Sequence, residues 1–240
     1  MLSLRGRARR ASPSPSNRCR HTHRQYYTYI TVGSRVISRY SWLEPFLVFG
    51  LIMAYIWELR YSYHRFWLII LGLMFFSHWR RREKPKALGF DWRSFRPCAE
   101  NLAPALLFLV LLLVGGGLLF STTRPIAWED AMVAWAAYVP WGVFQQYALN
   151  GYFLNRIDRV VSQRAAPVLT AALFSSVHLP NWFLMGVTLG AGYGCARLYR
   201  RYPNLYTLGL AHGTLGFVLY LVIPDSISHH LTVGPGWFTH

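Results

Sequence analysis

Three apolar stretches of this 240-residue sequence carry polar side chains able to do chemistry. The first holds Gln145, Gln146 and Asn150. The second holds Ser175, Ser176 and His178, with Asn181 just beyond, and the third holds His212 and Thr214. Only histidine among these types titrates near neutral pH, so His178 and His212 are the groups that could move a proton. A glutamine amide can orient a water by hydrogen bonding but cannot accept its proton. Gln146 and Asn150, Phe174 and His178, and His212 and Gly216 are each four residues apart, so each pair shares a helix face. Gly216 would leave room beside His212 for a neighbouring helix or a substrate chain. Taken singly, each polar residue is explained by an interhelical hydrogen bond stabilising by about 0.6 kcal/mol. Several at one depth point instead to a shared site.

The elements that must position these groups are apolar runs near 45–57, 66–79, 102–121, 131–154, 166–179, 182–196 and 204–223. A spanning helix needs roughly 20 apolar residues. The third, fourth and seventh runs meet that length. The first two are shorter and are flanked by Trp42, Tyr55, Trp57, Tyr61, Tyr63, Phe66 and Trp67, which suits a membrane interface. They could instead form one re-entrant hairpin. The expected fold is all-α, a polytopic membrane helix bundle of about seven transmembrane helices. If every run crosses from a cytoplasmic N-terminus, only Arg60, Arg65 and Arg124 of the 25 basic residues fall outside the cytoplasmic segments. That bias is the positive-inside signature. At 1.5 Å per residue, Gln145 lies roughly 15 Å from Asn155, His178 roughly 18 Å from Ala166 and His212 roughly 12 Å from Asn204. The three runs therefore offer polar groups at one level. Gly186, Gly190 and Gly194 repeat at the spacing that lets membrane helices approach closely.

Composition bounds the remaining classes. The chain is 53% hydrophobic and only 14% charged, whereas soluble domains average about a quarter charged. The net charge of +16 is gathered in the N-terminal tail and in short loops, a distribution that argues against nucleic acid. Residues 1–40 contain nine arginines, from Arg5 to Arg39, and no acid, with Ser12-Pro13-Ser14-Pro15 opposing a helix. They are expected to be a basic disordered tail attracted to anionic lipid. An organelle transit peptide is the alternative, weakened by the lack of amphipathic periodicity. Residues 41–240 form the membrane domain. Cys19, Cys98 and Cys195 show neither disulfide nor zinc spacing and are read as free thiols. No cofactor is implied, and without carboxylates two histidines are too few for an ordinary zinc site.

Residues 130–223 resemble the core of the CPBP family, the CAAX-protease and bacteriocin-processing (Abi) membrane proteins. That family pattern is Glu-Glu-x-x-x-Arg, then Phe-x-x-x-His, then His-x-x-x-Asn. Here the first part reads Gln145-Gln146-Tyr147-Ala148-Leu149-Asn150, followed by Gly151. The second is intact from Phe174 to His178, and the third is partial, from His212 to Gly216. The resemblance implies an intramembrane endopeptidase that uses activated water on a hydrophobic or lipidated protein substrate. It implies catalytic roles for Gln145, Gln146, His178 and His212, and substrate contacts for Asn150, Phe174, Asn181 and Gly216. Both family glutamates are glutamines here, and two accounts follow. In one, His178 is the base, the glutamines position water and His212 donates to the oxyanion. In the other, the cavity binds a hydrophobic or lipidated peptide, as in an immunity or scaffold role, without cutting it. A small transporter component is a third reading, but it needs a polar path across the membrane and the polar residues sit at one level. The loop charges suit a bacterial inner membrane.

Overall fold

The structure, a computed structural model, describes residues 42–239. The basic tail expected over residues 1–40 lies outside the described residues.

Each apolar run folds as helix. The elements are α1 (Leu43–Ala54), α2 (Trp67–Arg80), α3 (Phe95–Leu119), α4 (Trp128–Gln146), α5 (Ala165–Ser176), α6 (Trp182–Arg201) and α7 (Leu205–Val222). Among the described residues there is no strand. Two of these helices are long and apolar enough to cross a membrane by length and composition, α3 and α7. At 25 residues, α3 reaches roughly 38 Å. Its Leu107, Phe108, Leu111, Leu112, Leu118 and Leu119 are all exposed, the surface expected of a helix facing lipid. α5, with 12 residues, reaches only about 18 Å.

Local chemistry sets the helix ends. Asn181 caps α6 by accepting from the Leu184 N–H at 3.0 Å, and Asn204 caps α7 by accepting from Thr207 N–H at 2.8 Å. Glu129 and Asp130 occupy the first turn of α4, and Arg200 and Arg201 the last turn of α6, each complementing the helix dipole. α4 does not stop at Gln146. It widens into a π-helical turn over Tyr147–Leu154 and closes with Asn155–Ile157.

That π turn is the centre of the core. Tyr152 and Leu154 there, and Ile157 just beyond, are completely buried, against Ala166 of α5, Ala196 of α6, and Leu205 and Leu208 of α7. α4 packs chiefly on α7, α5 on α6, and α7 also on α3. The α4–α7 crossing is made by glycine. A Cβ on Gly142 would lie 2.5 Å from the Gly209 carbonyl oxygen, and one on Gly213 would lie 2.6 Å from that of Tyr138. The repeat Gly186, Gly190 and Gly194 has a different position: a Cβ there would meet nothing within 4 Å. It faces outward, while Gly192 supplies the close contact with Phe174 and Ala171 of α5.

Candidate active site

The three polar stretches meet between α4, α5 and α7. Gln146, the last residue of α4, is fully buried. Its Nε2 lies 2.9 Å from His212 Nδ1 on α7, and its Oε1 accepts from Asn150 Nδ2 at 2.7 Å. Asn150 sits inside the π turn, the kind of local widening that recurs at functional sites. Phe174 stands between the two histidines, its ring centroid 5.1 Å from His178 and 5.9 Å from His212. All three helices thus contribute to one cluster.

His178 is held differently from the sequence expectation. α5 ends at Ser176, and His178 lies in the following turn rather than within the helix. Pro180 explains the stop, because it lacks the N–H needed to extend the helix and restricts the residue before it. The pairing with Phe174 survives. His178 Nδ1 lies 2.8 Å from the Phe174 carbonyl oxygen. A carbonyl only accepts, so Nδ1 carries the proton and the neutral ring keeps its lone pair on Nε2. On His212 the roles are reversed, because the amide nitrogen of Gln146 only donates. His212 Nδ1 is the acceptor and Nε2 carries the proton. The two imidazoles present opposite faces of the same chemistry: one can accept a proton and the other can donate a hydrogen bond.

The remaining expected residues divide. Gln145 is half-buried beside Gln146. The Asn181 amide is committed within the protein: besides capping α6, its Nδ2 donates to the carbonyls of Ser228 and Thr232 at 2.8 and 3.1 Å. It therefore fastens the C-terminal segment over the turn that holds His178. Gly216 makes room for a neighbouring helix, since a Cβ there would sit 3.3 Å from the Tyr138 ring of α4. Among the described residues, no three His, Cys, Asp or Glu side chains come together as a metal site.

Two features escaped the sequence reading. The Cys195 thiol on α6 lies within hydrogen-bonding reach of Gln146. Further along the chain, Arg156 is 2% exposed at the centre of an ion-pair network. It grips Glu83 through Nη1 and Nη2 at 3.0 and 2.8 Å, and donates to Glu44 from Nε at 3.2 Å. Ser77 and His78 of α2, Arg81 just past its end, Tyr152 and Arg159 complete the network. The available signal was scarcity. With only nine acids among 240 residues, Glu44 beside an apolar run and Glu83 within a basic loop are conspicuous.

Residues 105–218 match the family model described as type II CAAX prenyl endopeptidase Rce1-like. The match is to a CPBP-family domain, and Gln146, Asn150, Phe174, His178, His212 and Gly216 all fall inside the matched residues. Members of this family are integral membrane proteins acting on prenylated proteins. Comparison with curated proteins and with solved structures gave no match.

Proposed function

We propose that this chain is an intramembrane endopeptidase that cleaves a hydrophobic or prenylated protein tail with an activated water. The observation that carries this reading is the bond from His178 Nδ1 to the Phe174 carbonyl oxygen, which leaves a basic Nε2 in a chain whose first motif has no carboxylate. His178 takes a proton from water, and the resulting hydroxide attacks the peptide carbonyl. His212 donates from Nε2 to the oxyanion, a contact worth about 2.7–4 kcal/mol where one such donor has been removed elsewhere. On collapse the C–N bond breaks, and the proton held by His178 passes to the leaving amine. Gln145 orients the water, since the Gln146 amide is already engaged at both ends. Phe174 forms the apolar wall along which the substrate lies. Asn150 and Asn181 serve the protein frame around it. The bundle is placed with seven crossings in a bacterial inner membrane, with the N-terminus cytoplasmic and the basic segments against anionic lipid.

A second reading has one observation in its favour. Gln146 occupies the place of a family glutamate and its amide is not basic, so the site could bind a lipidated peptide without hydrolysis. Purified protein in liposomes, given a fluorescent prenylated peptide, separates the two. Cleavage by wild type, lost in His178→Ala with an unchanged melting temperature, supports the hydrolytic reading. Binding without cleavage by wild type, with cutting only in the double variant Gln145→Glu/Gln146→Glu, would establish the binding reading instead.

A further inference from the structure

The hydrogen bonds around Gln146 run in one direction. Asn150 Nδ2 donates to Gln146 Oε1, which turns the amide nitrogen of Gln146 toward His212 Nδ1. Asn150 and Gln146 are both 0% exposed, so neither amide can exchange its partner for bulk water. Turning the two amides about would carry a cost in buried polar groups. As arranged, Asn150 Oδ1 and one N–H of its Nδ2 are buried without a partner. Reversed, Asn150 Oδ1 would accept from Gln146, and both N–H groups of the Asn150 amide would be stranded in place of one N–H and one oxygen, the costlier pair because a buried N–H is less readily left unpaired than a carbonyl oxygen. Gln146 Nε2 would also turn away from His212, and His212 Nδ1 would have to carry the proton.

We propose that Asn150 is a positioning residue: by holding Gln146 in a single orientation it fixes the proton of His212 on Nε2. It touches neither substrate nor water. Its action passes through one amide to the ring that faces the reacting carbonyl, so the His212 donor is set before substrate arrives. A free Gln146 amide would rotate, and His212 would divide between two tautomers, only one of which can donate from Nε2. The consequence for rate rests on the hydrolytic reading above, whereas the tautomer itself does not.

Magnetic resonance of the chain carrying isotope-labelled histidine, in lipid bilayers, reads which ring nitrogen bears the proton, and His212→Gln assigns the signals. In wild type the His212 proton is expected on Nε2 alone. In Asn150→Leu both tautomers should appear, and kcat for a prenylated peptide should fall about tenfold or more at unchanged KM. Asn150→Ser, whose short hydroxyl turns back to its own helix carbonyl, should give the same mixture if Asn150→Leu does not fold. A wild-type proton on Nδ1 overturns the proposal, as does a folded variant that keeps the proton on Nε2 alone. A wild type with the proton on Nε2 that cleaves no peptide would remove the hydrolytic reading, while a tautomer mixture in the Asn150 variants would still bear out the role of Asn150.

Discussion

At the scale of single residues, the largest commitment of charge lies at Arg156. A buried guanidinium is tolerable only where its partners are already in place, and losing one member strands the others. Arg156→Met should therefore cost about 3–5 kcal/mol, measured by unfolding in detergent micelles. Adding Glu44→Gln and Glu83→Gln to that variant should recover much of the loss, because the charges then leave together. Glu83 gives the pH dependence. Burial acts to raise its carboxyl, but hydrogen bonds from His78 and Arg156 and the charges of Arg156 and Arg159 prevail, holding it down at about 2 against an ordinary 4.5. A depressed carboxylate contributes stability above its unfolded value and loses it as pH falls through the folded one. Stability should thus be level above pH 4.5 and decline toward pH 2. Glu83→Gln should lower the plateau and flatten that decline in the same unfolding measurement.

At the scale of helices, the site depends on how closely α4 approaches α7. The Gln146–His212 bond exists because Gly142, Gly209 and Gly213 let two backbones nearly touch. Gly213→Ala should force the helices apart, at a cost of about 1–3 kcal/mol for overpacking, and should weaken peptide cleavage as well. Gly190→Ala, on the open face of α6, should change stability by no more than about 0.5 kcal/mol in the same unfolding measurement. These paired expectations also mark what the sequence could and could not reveal. Apolar runs and loop charge are local signals, and all seven helices were legible from them. The order Gln146, His178, His212 was legible too, because four-residue spacing determines which side chains share a face. The sequence pointed to the wrong glycine contact. Small residues at regular spacing permit close approach without saying which neighbour will come. The α7 glycines meet a helix from a different part of the chain, and Gly186, Gly190 and Gly194 of α6 meet nothing within 4 Å. The π turn was equally hidden, since widening by one residue per turn leaves no compositional mark at Tyr147–Leu154.

At the scale of the whole molecule, the proposed crossing pattern rests on where positive charge is left. Single cysteines at Trp128 and Arg164, in a background lacking Cys19, Cys98 and Cys195, should react with a membrane-impermeant thiol reagent from opposite sides. The Trp128 position should label from outside in intact cells, and the Arg164 position only after lysis. Labelling of both from one side would show that the α4 segment does not traverse the bilayer.

Synthesis on the ribosome proceeds from the N-terminus, which gives the Arg156 network a consequence in time. Glu44 emerges 112 residues before the guanidinium that will neutralise it, and Glu83 emerges 73 residues before. Until then, among the described residues, these two carboxylates have Ser77, Arg81 and His78 as their earlier-made partners. The nascent hairpin is thus an unfinished electrical circuit, closed when the fourth helix arrives. A chain truncated before Arg156 would leave that circuit open, a state that membrane quality control could recognise by its charge alone.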